Sequence, residues 1–146
     1  MSRTPPTNTP EAAHPDGDNA PSERRLALRV MTRPMDTNHY GTIFGGVILS
    51  AIDQAGFVEA RRNGSHRWVT ASIERVDFHA PVFVGDVVNL YASTIKQGTK
   101  SVTVRVDVEA ERSPTERPVS VTSATLTMVA VDSRGTPIPF RSPATV

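Results

Sequence analysis

The segment that decides the fold is residues 45–62, GGVILSAIDQAGFVEARR, which contains no proline and runs into Asn63-Gly64, a pair that ends helices. At about 100° per residue, Ile48, Ala51, Ile52, Ala55 and Val58 share one broad face, and Leu49, Gly56 and Phe57 widen it. The spacing therefore predicts one long helix that is mostly buried. Upstream, Leu26, Leu28 and Val30 alternate with Ala27 and Arg29 as a short strand. Downstream, residues 68–78, 87–95, 102–109 and 119–131 are rich in Val, Thr and Ile and read as four strands joined mainly by short connections. The clearest is VTVRVDV, where Val102, Val104, Val106 and Val108 face one way and Thr103, Arg105 and Asp107 the other. Gln97-Gly98-Thr99-Lys100 lies between two such runs as a hairpin turn. One helix and an antiparallel meander bury each other when the sheet curls over the helix, which gives an α+β fold of two layers. The free sheet edges left over favour pairing with a second copy, so a homodimer is expected.

Composition frames this reading. The chain has 146 residues, a net charge of +1, no cysteine and 12 prolines. Zero cysteines exclude disulfide scaffolds, Cys-ligated zinc and a thiol nucleophile. Near-neutral charge argues against nucleic acid or an anionic membrane as partner. No apolar run approaches the roughly 20 residues of a membrane span, and the first residues lack the apolar centre of a secretory signal, so a cytoplasmic location is expected. Five prolines fall at Pro5, Pro6, Pro10, Pro15 and Pro21 among small polar residues, so residues 1–22 are expected to be a disordered tail. The working domain is then residues 23–140, with 141–146 a C-terminal tail.

Most catalytic spacings are missing. There is no G-x-S-x-G elbow and no G-x-G-x-x-G fingerprint. His14, His39, His66 and His79 form no i, i+4 pair, so no metal site is expected. What remains is Asn38-His39-Tyr40-Gly41-Thr42-Ile43-Phe44-Gly45-Gly46, running into the helix, with Asp53 two turns inside. Gly45 and Gly46 fall at the helix start, where backbone N–H groups lack intrahelical partners and can polarise a carbonyl. Asp53 lies about 140° from Ile48, at the border of the apolar face, where a carboxylate can act as a general base or attack directly. Periodicity leaves other readings open. Asp53 shares an arc with Ser50, Gln54 and Arg61 as a solvated face, Asn38 is by default a turn residue, and the two glycines can serve close packing alone.

The string Asn38-x-x-Gly41-x-x-Phe44-Gly45-Gly46, with Asp53 seven residues on, resembles the bacterial acyl-CoA thioesterases of the hotdog superfamily that act on a broad range of acyl chains. Three further segments match in order: Phe78-His79-Ala80-Pro81-Val82-Phe83-Val84-Gly85-Asp86-Val87-Val88, Gly98-x-x-Ser101 with the Val-alternating run after it, and Met128-Val129-Ala130-Val131-Asp132. His79-Ala80 departs from the family's apolar-then-basic pair before proline. The resemblance implies a hotdog fold, with an antiparallel sheet wrapped around one long central helix. It also implies dimers, assembled further into trimers of dimers, with sites at the dimer interface. On this chain it makes Asp53 the catalytic carboxylate of one protomer and Asn38 its counterpart from the other. Gly45 and Gly46 would receive the thioester carbonyl, and Thr99, Lys100 and Ser101 would border the CoA portion. It implies acyl-CoA as substrate and no cofactor. A non-catalytic acyl-CoA-binding module and a hotdog dehydratase or hydratase are the alternatives.

Overall fold

The computed structural model describes residues 22–146. Its strands are β1 (Arg25–Met31), β2 (Arg67–Ile73), β3 (Val87–Gln97), β4 (Ser101–Glu111) and β5 (Val119–Val131), with α1 (Gly45–Ala60) between β1 and β2. Every strand pair is antiparallel, and the sheet order is β1-β3-β4-β5-β2. Helix α1 touches all five strands, so the sheet curls around it as expected. Among the described residues no helix is long and apolar enough to cross a membrane.

The core is built from alternation. Val102, Val104, Val106 and Val108 are all fully buried, as their spacing requires, and they meet Leu90 and Ala92 of β3 and Leu126 and Met128 of β5. Burying one such side chain contributes about 1.5–3 kcal/mol, so β4 alone anchors much of the sheet. At Gly56 the helix lies close against the sheet. A Cβ there would come within 2.9 Å of Leu126 Cδ2, so a larger side chain would force that fully buried leucine to shift.

Three expectations are corrected. The meander holds for β3 to β5 only; β2 crosses to the far edge and pairs with β5, leaving a 13-residue return to β3. The strand expected over 68–78 stops at Ile73. Beyond it only Glu74 and His79 donate backbone bonds to β5, at Thr125 O and Val121 O, while Arg75 and Asp77 pair in solvent at 2.7 Å. The helix ends at Ala60 and tightens into a 3-10 turn over Arg61–Asn63. Its buried stripe is also rotated: Phe57 is 41% exposed and Val58 half-buried, while Glu59 is 1% exposed. The tertiary partners of Glu59 decide this. Its carboxylate accepts from Ser22 Oγ at 3.2 Å, Thr94 Oγ1 at 3.0 Å and Arg62 Nη1 at 3.3 Å, with Arg25 at 3.5 Å.

The expected tail over 1–22 lies outside the described residues except for Ser22, whose N–H donates to Thr94 O at 2.8 Å. At the other end, Thr145 N–H donates to Ser65 O at 2.9 Å, and Arg141 bonds Gln97 and Gly98 O.

Candidate active site

The loop into α1 is shaped by its own short-range chemistry. Arg33 binds Asp36 through both its backbone N–H and its guanidinium, at 3.0–3.2 Å. Those side-chain hydrogen bonds hold the Asp36 carboxyl below its ordinary value. Two residues on, Asn38 Oδ1 accepts from the N–H groups of Tyr40 at 2.9 Å and Thr42 at 3.2 Å, and its Nδ2 donates to Thr42 Oγ1 at 2.8 Å. This is the turn-closing use of an Asn side chain, and Gly41 at φ +86° supplies the left-handed position that the tight loop needs. Within one chain, then, Asn38 holds its own loop.

The loop delivers Phe44 to the start of α1, and as N-cap residue it makes no side-chain capping hydrogen bond. The N–H groups of Gly45 and Gly46 are thus left for an outside acceptor. A Cβ on Gly46 would meet nothing within 4 Å, and one on Gly45 only the Phe78 ring at 3.5 Å, so the backbone there is open to approach.

Asp53 is exposed on the next part of the helix, and its Oδ1 accepts a hydrogen bond from Thr70 Oγ1 of β2. The hydroxyl also lies 3.4 Å from Met128 Sδ. Both side chains open into a cleft of about 480 Å³ between α1 and the sheet edges, lined by Leu28, Phe57, Val58, Trp68, Val69 and Met128. The arrangement is one carboxylate, oriented by one hydroxyl, at an apolar trough. Such a carboxylate can take a proton from water or attack a carbonyl carbon beside an apolar substrate.

Thr70 is the functional candidate that sequence reasoning missed. No motif surrounds it; the available signal was period two, which puts it on the same face of β2 as buried Trp68. The remaining candidates are not brought to Asp53 within this chain. Gly46 lies seven residues from Asp53, about 10 Å along the helix axis. Thr99 and Lys100 form the exposed β3–β4 turn, and Ser101 opens β4 half-buried.

This geometry coincides with known proteins. The family model of the thioesterase superfamily matches residues 40–116. The acyl-CoA thioester hydrolase YciA of Salmonella typhimurium is 38% identical over 126 residues, which is 84% of this chain and 94% of that protein. Cj0915, a hexameric hotdog fold thioesterase of Campylobacter jejuni, superposes with a TM-score of 0.74 at 40% identity, covering 79% of this chain and 89% of its own. The hexameric thioesterase y2039 from Yersinia pestis gives a TM-score of 0.76 at 38% identity, covering 82% and 97%. A helix wrapped by a curled antiparallel sheet, with a carboxylate at an apolar cleft, is therefore a hotdog-fold protein. The chain belongs to the thioesterase superfamily.

Proposed function

We infer that the protein is an acyl-CoA thioester hydrolase, releasing a free carboxylic acid and CoA. The observation that carries the reading is Asp53, held by Thr70 at the mouth of an apolar cleft. The acyl chain lies in the cleft with its carbonyl carbon beside the carboxylate. Asp53 takes a proton from water as the water oxygen bonds to that carbon; the C–S bond then breaks, and the proton passes to the departing thiolate. Thr70 keeps the carboxylate aimed while its second oxygen faces the reactants. Purified protein is expected to liberate thiol from acyl-CoA; binding of acyl-CoA without thiol release would overturn the reading in favour of a binding module.

The oxyanion needs a donor that Asp53's own helix does not supply at the right place, since Gly45 and Gly46 lie two turns away. The proposal is that a second copy brings Asn38, Gly45 and Gly46 to Asp53, in a homodimer that assembles further into a trimer of dimers. Support comes from the incomplete site in one chain and from the hexameric state of Cj0915 and y2039. Asp53→Ala and Asn38→Ala proteins, each inactive alone, are expected to regain thiol release when unfolded and refolded together. A mixed dimer then holds one site with both residues intact. A mixture as dead as its parents would exclude the shared site.

Thr99, Lys100 and Ser101 are proposed to border the CoA portion, with the Lys100 ammonium meeting a phosphate. Exposed ion pairs are weak, so Lys100→Ala should raise KM for acyl-CoA only a few-fold with kcat unchanged, corresponding to about 1 kcal/mol or less. Steady-state kinetics at low salt check this, and an unchanged KM would remove Lys100 from the site. A cytoplasmic location belongs to the same proposal.

A further inference from the structure

We propose that the indole of Trp68 is the wall that sets the acyl-chain length this protein accepts, selecting short acyl groups. The inference rests on the acyl-CoA reading above. Two directions along the cleft converge on the same end. One helical turn beyond Asp53, about 6 Å toward the C-terminus of α1, stands Phe57. Two residues back from Thr70 along β2, about 7 Å, stands Trp68. Both belong to the lining of the cleft, together with Leu28, Val58 and Met128. A chain that starts at the carboxylate and runs into apolar surroundings therefore meets the indole after a short distance.

What distinguishes Trp68 from the rest of the lining is that it does not move aside. It is 5% exposed, and its Nε1–H donates to Gly64 O at 2.9 Å. The indole packs against the Phe140 ring at 5.8 Å and edge-on to His66 at 6.4 Å. His66 is itself pinned, one ring nitrogen to Phe140 O at 2.8 Å and the other to Thr145 Oγ1 at 2.9 Å. Gly64, the acceptor of the indole's hydrogen bond, is itself tightly packed, because a Cβ there would come 2.8 Å from Phe140 O. Turning the indole out of the cleft would break its hydrogen bond and displace Phe140. Phe57 is exposed and Met128 has a flexible side chain, so either can yield to a ligand where Trp68 cannot.

One methylene in an apolar pocket changes kcat/KM about tenfold or more, so a fixed wall turns a rising series into a sharp break. The test is thiol release by the full-length protein over a series of straight-chain saturated acyl-CoA esters. It is run on the wild type, Trp68→Ala and Trp68→Val. The valine variant keeps a β-branched strand residue should the alanine variant fold poorly, and melting curves certify each protein. The expected result is a shift of the optimum to longer chains, with a gain of about tenfold in kcat/KM for the first ester beyond the wild-type optimum. The same optimum in the folded valine variant would overturn the proposal. A readout independent of turnover comes from Trp68 being the only tryptophan of the chain. In Asp53→Ala protein, its fluorescence should change with acyl-CoA esters long enough to touch it and not with CoA alone. Fluorescence that depends on chain length without wild-type thiol release would keep the wall and sink the hydrolase reading. Fluorescence indifferent to chain length would sink the wall.

Discussion

Asp53→Ala is expected to lower thiol release from acyl-CoA by about 10²–10⁴-fold, the range for losing a positioned general base, with the protein melting within about 1 kcal/mol of the wild type. The stability half follows from exposure: Asp53 faces solvent, and its hydrogen-bond partner among the described residues, the Thr70 hydroxyl, can turn to water when the carboxylate is gone. Thr70→Val is the graded companion. It removes a hydrogen bond to a charged group, worth about 1.5–3 kcal/mol, and so should cost about 10- to 100-fold in kcat while KM stays near the wild-type value. Turnover and melting of the two variants, measured side by side, separate orientation of the carboxylate from its chemistry. Full turnover by folded Asp53→Ala protein would remove the proposed mechanism, and a Thr70→Val protein as active as the wild type would leave Asp53 without its orienting partner.

The second large effect lies away from the cleft. Glu59→Ala is expected to destabilise the protein by about 3 kcal/mol, lowering the melting temperature by roughly 10 °C, with kcat at 25 °C unchanged. Its carboxylate is buried near the C-terminal end of α1, where the helix dipole disfavours negative charge. Four groups offset that: the hydroxyls of Ser22 and Thr94 and the guanidiniums of Arg62 and Arg25. The network extends through Asn63, which donates to Thr94 Oγ1 at 3.0 Å and accepts from Gln97 at 2.9 Å. Truncation leaves Thr94 without its buried acceptor and cuts the link between the start of β1, the end of α1 and β3. The two arginines are partly exposed and recover hydration, which is why the expected cost sits at the low end for a broken buried pair. Glu59→Gln, which keeps one acceptor oxygen, should fall between. Thermal unfolding at neutral pH measures all three, and a loss below about 1 kcal/mol for the alanine variant would show that the network contributes little.

The two variants fail in opposite ways, and the contrast bears on how far the chain could be read without its structure. Strong local patterns survived folding: the helix from Gly45, though it ends at Ala60, the four alternating valines of β4 as a buried row, and Gly98 in a hairpin turn. The period of apolar residues dictates each of these within a few neighbours, so no distant contact is needed to state them. The stop of β2 at Ile73 was not legible, because Val76 and Phe78 carry strand-like side chains while the bonds to β5 are already thinning. Nor was the burial of Glu59, since a charged residue reads as solvated until its partners arrive from sequence positions 22, 25, 62 and 94.

The site divides along the same line. Asn38, the glycine pair and Asp53 stand close in sequence and were found there as candidates. Thr70 and Trp68 were not, because their relation to Asp53 exists only once β2 is laid against α1 at the far edge of the sheet. The sequence by itself determined the helix, the valine strands and the acidic candidate, since each rests on spacing between near neighbours. Only the tertiary structure decided which hydroxyl meets that carboxylate and that the indole lines its cleft, because those residues stand 15 or more positions apart and depend on a strand crossing that no local pattern encodes.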